Sequence, residues 1–193
     1  AAGRHVLILT PEIGLIPQLV DRCRRRFGSR VLEYHSGCRD RERLQVWRRC
    51  LAPGQPLLVV GTRSAVFIPL SPLGLVVLDE EHDSSYKQAA PMPCYHARDL
   101  ALDRIRAGGG RLVLGSATPS LDSWVQLHPD GPLHLGRLTQ RISQQSLPPV
   151  HVVDMRHALA EGHRRLISRP LMDRLAELPE QGEQAASLVP RRG

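Results

Sequence analysis

The sequence Leu-Val-Val-Leu-Asp-Glu-Glu-His occupies residues 75–82 and joins an unbroken apolar run to a run of acids. A continuous Leu/Val run is typical of a parallel strand that is buried on both faces. The acids therefore follow at the carboxyl end of a strand, which is the edge where open α/β sheets bind their ligands. This stretch predicts an α/β protein with a polar site at one edge of its sheet.

On both sides of this stretch, short β-rich runs alternate with segments of helical periodicity. The predicted strands are residues 5–10, 30–35, 57–60, 75–78 and 111–114, and the predicted helices are residues 16–27, 39–50 and 95–107. Such alternation predicts βαβ units, and hence a parallel sheet flanked by helices.

The pattern loosens beyond about residue 125, where a Ser/Gln/Pro-rich stretch begins to dominate. Two further strands are predicted at 133–138 and 150–154, and a helix at 169–178. We interpret residues 1–125 as one lobe, residues 126–165 as a connection and residues 166–193 as the start of a second lobe.

Composition limits the classes of function. The chain has 193 residues, 41% of them hydrophobic, which is enough for one full α/β core. Its net charge of +7 favours a polyanionic partner, and both nucleic acid and acidic lipid would fit. No apolar run reaches the roughly 18 residues of a membrane span, so we expect a cytoplasmic protein without a membrane partner. The cysteines form no C-x-x-C pair, so neither a zinc site nor a disulfide framework is predicted.

The acidic run suits nucleotide chemistry. A nucleoside triphosphatase needs one carboxylate to organise Mg²⁺ and another to orient and deprotonate the attacking water. Asp79 suits the first role and Glu80 the second. Like charges repel, so three adjacent acids at a buried edge require a cation or another explanation. The alternative is a solvated acidic turn that caps the next helix.

A second motif follows the last predicted strand of the lobe. Gly115-Ser-Ala-Thr-Pro119 carries two small hydroxyl residues, Ser116 and Thr118, that can bond to the acidic motif and sense the nucleotide state. Alone it would be interpreted as a simple turn. Paired with the acidic run, each after its own buried strand, it favours a helicase.

Three upstream segments also follow predicted strands, and each offers hydroxyls, backbone amides or an arginine. Such groups hold sugar-phosphate without reading base sequence. Each segment alone could be a helix cap or a turn. Their shared placement at one sheet edge predicts a track for nucleic acid, with contacts from Thr10, Pro11, Glu12, His35, Ser36, Gly37, Thr62, Arg63 and Ser64.

Six segments together resemble the PriA family of superfamily 2 replication-restart DNA helicases, also called primosomal protein N-prime. They are Thr-Pro-Glu-Ile-Gly-Leu at 10–15, His-Ser-Gly at 35–37, Gly-Thr-Arg-Ser-Ala-Val-Phe at 61–67, Asp-Glu-Glu-His-Asp-Ser-Ser-Tyr-Lys-Gln at 79–88, Tyr-His-Ala-Arg-Asp at 95–99 and Gly-Ser-Ala-Thr-Pro-Ser at 115–120. The resemblance extends over roughly residues 3–180.

The resemblance implies a RecA-like motor lobe in an ATP-dependent 3′-to-5′ DNA helicase that binds stalled forks and promotes primosome assembly. ATP and Mg²⁺ are the implied cofactors, with Asp79 at the metal and Glu80 at the attacking water. The implied coupling residues, which link nucleotide state to DNA, are Glu81, His82, Ser116 and Thr118. The implied partners are single-stranded and forked DNA, primosome proteins and single-strand-binding proteins, in the bacterial cytoplasm at the nucleoid.

Residues 84–98 match the aromatic-rich loop with which the family senses single-stranded DNA. By that likeness Tyr86, Tyr95 and His96 would stack on bases, while Lys87 and Arg98 would hold phosphates. The alternative for either tyrosine is that it covers the apolar surface of the loop.

The chain departs from the family in lacking G-x-x-x-x-G-K-[ST], the loop that cradles the phosphates, and Lys87, its sole lysine, lies in the wrong place to substitute. The resemblance also implies a second lobe with an arginine finger and a zinc module, of which only the start of the second lobe is expected in these residues, so no zinc ligands are predicted. We expect a fragment or a degraded reading frame with little ATP hydrolysis of its own. The other interpretations are a non-enzymatic DNA-binding or partner-binding module, and another superfamily 2 translocase.

Overall fold

Five parallel strands form the central sheet of the protein. In chain order they are β1 (His5–Leu9), β2 (Val31–Tyr34), β3 (Leu58–Gly61), β4 (Leu73–Leu78) and β7 (Arg111–Leu114). Their order across the sheet is β2-β3-β1-β4-β7, and every neighbouring pair is parallel. The computed structural model describes residues 3–127, 131–140, 148–160, 162, 165–179 and 182–188. The predicted parallel α/β fold is confirmed.

Helices cover both faces of the sheet. The three long ones are α1 (Ile16–Phe27), α2 (Asp40–Leu51) and α3 (Ala97–Gly108). On one face α1 buries Ile16 and Val20 against residues of β2 and β3. On the other, α3 packs its apolar stripe into the larger core around β1 and β4. Apolar packing on both faces explains why β3 and β4 are continuous apolar runs in the sequence.

A small hairpin precedes α3. Its strands are β5 (Lys87–Gln88) and β6 (Tyr95–His96), which pair antiparallel. The Gln88 side-chain amide donates to the backbone oxygens of Pro91 and Pro93 and so holds the intervening loop. The helix predicted from Tyr95 therefore begins at Ala97, because residues 95 and 96 are extended in the hairpin.

Short elements complete the first part of the chain. Single 3₁₀ turns span Ile13–Leu15, Gly28–Arg30, Arg63–Phe67 and Ser84–Tyr86, and a one-turn helix, α4, spans Leu121–Trp124.

The chain divides into two compact units, residues 1–136 and 137–193. The second unit contains α5 (Met155–Ala160) and α6 (Arg169–Glu177), which confirms the helix predicted at 169–178. None of the helices in the described ranges is long and apolar enough to cross a membrane.

The strands predicted at 133–138 and 150–154 are wrong, because these residues form no ladder. Their large apolar side chains, among them Leu138, Val150 and Val152, are exposed rather than packed. β-branched residues favour strands chiefly through packing against neighbouring strands, and here none pairs with them.

Candidate functional site

The carboxyl ends of four strands meet at one edge of the sheet. Leu9 is in register with both Gly61 and Leu78, and Leu78 is in register with Leu114. The residues that follow continue the pairing, since the Asp79 amide donates to Leu9 O at 2.9 Å and the Gly115 amide donates to Leu78 O at 2.8 Å. The predicted convergence of the motifs on a single edge is confirmed for these strands.

Asp79 and Glu80 direct their carboxylates towards solvent. The Asp79 residue is exposed, and the Glu80 side chain retains 46% of its exposure. Glu80 has a φ of 48°, a left-handed backbone that non-glycine residues adopt at a cost of about 1 kcal/mol or more. This strained turn follows β4 directly and points successive acids in different directions.

His82 and Ser116 connect the acidic motif to the Gly-Ser-Ala-Thr-Pro segment. His82 Nδ1 lies 2.7 Å from Ser116 Oγ, and the backbone amide of Glu81 donates to Gly115 O at 3.0 Å. The Ser116 hydroxyl also accepts a bond from the Thr118 amide at 3.0 Å. The predicted contact between the two motifs is present and uses Ser116, whereas Thr118 contributes its backbone and its side chain is exposed.

Glu81 turns away from this edge into the protein. Its carboxylate accepts bonds from the Ser120 amide at 2.7 Å, the Ser120 hydroxyl at 3.0 Å and the Ser123 hydroxyl at 2.9 Å. Burial pushes the pKa of Glu81 up, but these bonds and the nearby Arg98 charge outweigh burial, so its pKa lies below the ordinary value. The run of three acids is thus accommodated by burying one, Glu81, in a hydrogen-bonded network.

Arg98 belongs to the same network, which contradicts its predicted phosphate contact. Its side chain is only 15% exposed, and its Nη1 lies 3.6 Å from Glu81 Oε2 and 3.3 Å from both serine hydroxyls. A buried carboxylate needs a compensating charge, and Arg98 supplies it. Its guanidinium therefore stabilises the fold around Glu81 rather than presenting charge to DNA.

Tyr86 is fully buried, so the predicted stacking of its ring on a base is wrong for this structure. Its hydroxyl lies 2.9 Å from Leu9 O and 2.7 Å from Asp79 O, at the ends of β1 and β4. The alternative interpretation, that the Tyr86 ring covers the apolar surface of the loop, is the one that fits this structure. The ring also does more than cover a surface, because its hydroxyl contacts the backbone of the acidic motif.

Arg63 is likewise engaged within the fold. Its guanidinium donates to Ser85 O at 3.1 Å, to Lys87 O at 2.9 Å and to Gln88 Oε1 at 3.3 Å. It also lies 5.8 Å from the centre of the Tyr95 ring, a cation–π arrangement. These contacts fasten the hairpin to the end of β3 and direct the charge of Arg63 away from a free phosphate contact.

Two aromatic residues remain partly accessible beside Arg63. The half-buried Tyr95 ring meets the exposed Phe67 ring edge-on at 4.9 Å between centroids. Lys87 is exposed on the hairpin. Phe67, at the end of the Gly-Thr-Arg-Ser-Ala-Val-Phe segment, lies beside this loop and forms an accessible group with Tyr95 and Lys87.

Some of the remaining predicted DNA contacts are buried or already occupied, and others are accessible. Thr10 is fully buried and its hydroxyl has no hydrogen-bond partner, so a DNA contact by that side chain is wrong here. His96 is also occupied, because its Nδ1 accepts from the Arg98 amide and caps α3, and burial lowers its pKa. Accessible positions in the set are Pro11, Glu12, His35, Ser36, Gly37, Thr62 and Ser64.

Sequence reasoning missed two groups of side chains. Ser120 and Ser123 hold Glu81, and their S-x-x-S spacing, with Ser120 at the N-cap of a short helix, is a capping pattern that could have indicated their importance. Glu33, His35 and Cys38 place one ligand atom each within 4.8 Å of one another. Their spacing, Glu-x-His-x-x-Cys, is visible in the sequence but contains no C-x-x-C pair.

Comparison with known proteins shows similarity to helicases. The family model described as DEAD/DEAH box helicase matches residues 1–126. Replication restart protein PriA of Synechocystis sp. is 48% identical over 99% of this chain and 23% of its own length. The Bacillus subtilis protein of the same name is 42% identical over 100% of this chain and 24% of its own.

The PriA of Haemophilus influenzae is 40% identical over 100% of this chain and 26% of its own length. The chain thus spans about a quarter of the length of these curated relatives. Among solved structures, the C-terminal part of the Fun30 ATPase domain gives a TM-score of 0.42 over 62% of this chain and 42% of that one, at 14% identity.

Proposed function

Because the chain belongs to the DEAD/DEAH box helicase family, we propose that it forms part of the motor of an ATP-dependent 3′-to-5′ DNA helicase acting in replication restart. Whole-chain similarity to replication restart proteins supports this choice within the family. The observation that carries it is the strand end at which Asp79 and Glu80 are accessible and His82 lies 2.7 Å from Ser116.

The exposed acids fit a magnesium–nucleotide complex. Mg²⁺ prefers oxygen ligands and is usually held by one or two carboxylates together with water and phosphate oxygens. Asp79, exposed at the end of β4, would hold the ion. When bound, Mg²⁺ would offset the negative charge on the β- and γ-phosphates.

Glu80 has the position and exposure of a general base. It would accept a proton from a water molecule whose oxygen attacks the γ-phosphorus, while the bond from that phosphorus to the β–γ bridging oxygen breaks and ADP leaves with the electron pair. The 3.5 Å approach of Glu80 Oε2 to His82 Nδ1 orients this carboxylate. The left-handed turn at Glu80 separates its side chain from that of Asp79.

Coupling would pass through contacts already formed. His82 connects Glu80 to Ser116, and Glu81 connects the same turn to the serines of α4. A change at the nucleotide therefore has a contiguous path to the end of β7. The hairpin that carries Tyr95 and Lys87 is attached through Tyr86 to Asp79 and offers a second path, towards DNA.

Single-stranded and forked DNA is the proposed partner, and primosome and single-strand-binding proteins are proposed from the likeness to replication restart proteins. The net charge of +7 supports a polyanion. The accessible residues around the sheet edge and the Phe67–Tyr95 pair supply polar and stacking groups of the kind that bind single strands.

A second candidate is a DNA-binding module without enzymatic activity. The observation that favours it is that the sequence contains no G-x-x-x-x-G-K-[ST] and that its one lysine, Lys87, belongs to the hairpin. We propose that these 193 residues hydrolyse ATP poorly by themselves and that efficient hydrolysis needs a phosphate-binding loop from outside them.

Strand displacement by the full-length protein tests the proposal. We expect unwinding of forked DNA that requires ATP and a single-stranded 3′ tail on the tracking strand, and Ser116→Ala to hydrolyse ATP with much less unwinding. Unwinding that starts from a 5′ tail would contradict the polarity. Retention of unwinding by Ser116→Ala would contradict the coupling role of Ser116.

A further inference from the structure

A cluster of potential metal ligands lies at the β2 end of the sheet, and β3 and β1 separate this strand from β4, which carries the acidic motif. Glu33 is on β2, the edge strand, and His35 and Cys38 follow directly after it. Their ligand atoms lie within 4.8 Å of one another, and all three residues are half-buried. The proposed helicase function assigns nothing to Glu33 or Cys38.

The backbone already holds the three residues together. The Cys38 amide donates to His35 O at 3.1 Å and closes a turn between them. The Gly37 amide donates to His35 Nδ1 at 3.1 Å and fixes the orientation of the ring. One turn therefore places His35 and Cys38 near each other before any ion binds.

The surroundings leave room for an ion. Glu33 and Cys38, but not His35, line a groove beside β2 and α2 together with Glu42, Gln45 and Val46. Arg24 and Arg49 also line it and oppose a cation. Arg49 is directed to Ser29 O at 2.8 Å, and the nearby Arg43 pairs with Asp40, so two of the adjacent arginines have partners of their own.

The ligand chemistry selects a borderline divalent cation. A thiolate, an imidazole and a carboxylate are together the ligand types of Zn²⁺, whereas Mg²⁺ and Ca²⁺ are bound by oxygen alone. Tetrahedral zinc with bonds of about 2.0–2.3 Å places its ligands about 3.3–3.8 Å apart. Closing from the observed limit of 4.8 Å is within the reach of side-chain rotation.

We propose that Glu33, His35 and Cys38 form a zinc site with a water as the fourth ligand. On binding, the Cys38 thiol gives its proton to solvent and sulfur forms the bond to zinc. The prediction of no zinc ligands rested on the absence of a C-x-x-C pair, and a Glu-x-His-x-x-Cys site has no such pair. Asp79 and Glu80 take no part in the site, so zinc binding can be tested separately from ATP hydrolysis.

The proposal has a consequence for the loop. A neutral imidazole carries one in-plane lone pair, and at His35 the Gly37 amide donates to it. If zinc binds at Nδ1, the Gly37 amide is released and the His-Ser-Gly turn must rearrange. Zinc would then alter a segment predicted to contact DNA, which gives metal binding a route to change DNA affinity.

Metal titration of the reduced 193-residue chain tests the site. Zn²⁺ would be titrated in competition with a chromophoric chelator, and Co²⁺ would be used as a spectroscopic substitute. We expect one zinc per chain lost in Cys38→Ser, with affinity reduced more than about tenfold, since even outer-shell changes weaken zinc sites 10–100-fold. Cys94→Ser, which alters an exposed cysteine elsewhere, is the matched control and should bind zinc as the parent chain does.

The cobalt complex should show a thiolate-to-metal absorption that disappears in Cys38→Ser and persists in Cys94→Ser. His35→Ala and Glu33→Gln should each weaken zinc binding as well, and circular dichroism of the metal-free variants checks that they fold. Zinc affinity that is equal in the parent chain and Cys38→Ser, or a cobalt spectrum without a thiolate band, would overturn the proposal.

Discussion

The Tyr86 hydroxyl lies 2.7 Å from the backbone oxygen of Asp79, although Tyr86 belongs to the loop predicted to sense DNA. The same hydroxyl is 2.9 Å from Leu9 O, so one side chain bridges the ends of β1 and β4. Burial raises the pKa of the Tyr86 phenol well above its usual range, so the group keeps its proton and remains a donor. The loop and the acidic motif are thus joined by a contact that needs no ligand.

Removing this hydroxyl should weaken both the fold and the coupling. Tyr86→Phe keeps the ring but removes the one hydroxyl proton that Leu9 O and Asp79 O share, and we expect it to lower the free energy of unfolding by about 1–2 kcal/mol. Urea denaturation of the chain measures this. Tyr95→Phe, at a half-buried ring, is the control and should cost less. An unchanged midpoint for Tyr86→Phe would show that the hydroxyl does not hold the strand ends.

The buried carboxylate of Glu81 predicts a pH dependence of stability. Its pKa is lower in the folded chain than the value of about 4.3 for a free glutamate. The unfolded state therefore binds a proton first as pH falls, so the stabilisation is fully present above that value and is lost through the acidic range below it. We expect Glu81→Gln to be less stable than the parent chain at pH 7.

The difference between Glu81→Gln and the parent should shrink as pH falls below about 4. Urea denaturation at several pH values measures it, with Glu177→Gln, an exposed glutamate on α6, as the control whose difference should stay small. A stability difference that grows towards acid pH would contradict the assigned direction of the shift.

The backbone at Glu80 predicts an unusual order of stabilities. Glycine normally destabilises relative to alanine through the entropy of the unfolded chain, but at positive φ alanine carries a steric penalty that glycine avoids. Because φ is 48° at this position, the free energy of unfolding of Glu80→Gly should exceed that of Glu80→Ala by about 1 kcal/mol, as measured by urea denaturation. At Asp103, inside α3, Asp103→Ala should instead be more stable than Asp103→Gly. If alanine were the more stable substitution at both sites, the left-handed backbone at Glu80 would be refuted.

Arg63 should control the mobility of the hairpin. Its guanidinium holds the backbone of Ser85 and Lys87, so Arg63→Ala removes the contacts that fasten this loop to the end of β3. We expect faster amide hydrogen exchange at residues 85–96, with β1 and β3 unchanged. Arg111→Ala, at an exposed position on β7, is the comparison and should leave the hairpin protected. If the amides of residues 85–96 exchanged equally slowly in Arg63→Ala and Arg111→Ala, Arg63 would not fasten the hairpin.

The sheet was predictable because its strands are apolar on both faces, a pattern that burial imposes on the sequence directly. The strand ends were predictable for the same reason, and they placed Asp79 and Glu80 correctly at the shared edge. The failed strands at 133–138 and 150–154 carry similar apolar residues, but pairing depends on a neighbour that the local sequence does not specify.

Orientation was harder to predict than position. Glu80 and Glu81 are adjacent, yet the left-handed turn leaves one carboxylate in solvent and buries the other against Arg98. Tyr86 resembled a stacking residue because its type suits both roles, and only its contact with Asp79 distinguishes them. A residue's type and its place on a loop do not determine which side of the loop it faces.

ATP hydrolysis by the full-length protein, with and without single-stranded DNA, tests the central claim that the Asp79–Glu80 edge hydrolyses ATP. The account predicts DNA-stimulated turnover that falls by at least about a hundredfold in Glu80→Gln, as is usual when a general base is lost, with Mg²⁺-dependent nucleotide binding retained. Asp103→Asn, an exposed change on α3, should turn over like the parent. Turnover by Glu80→Gln equal to that of Asp103→Asn would contradict the account.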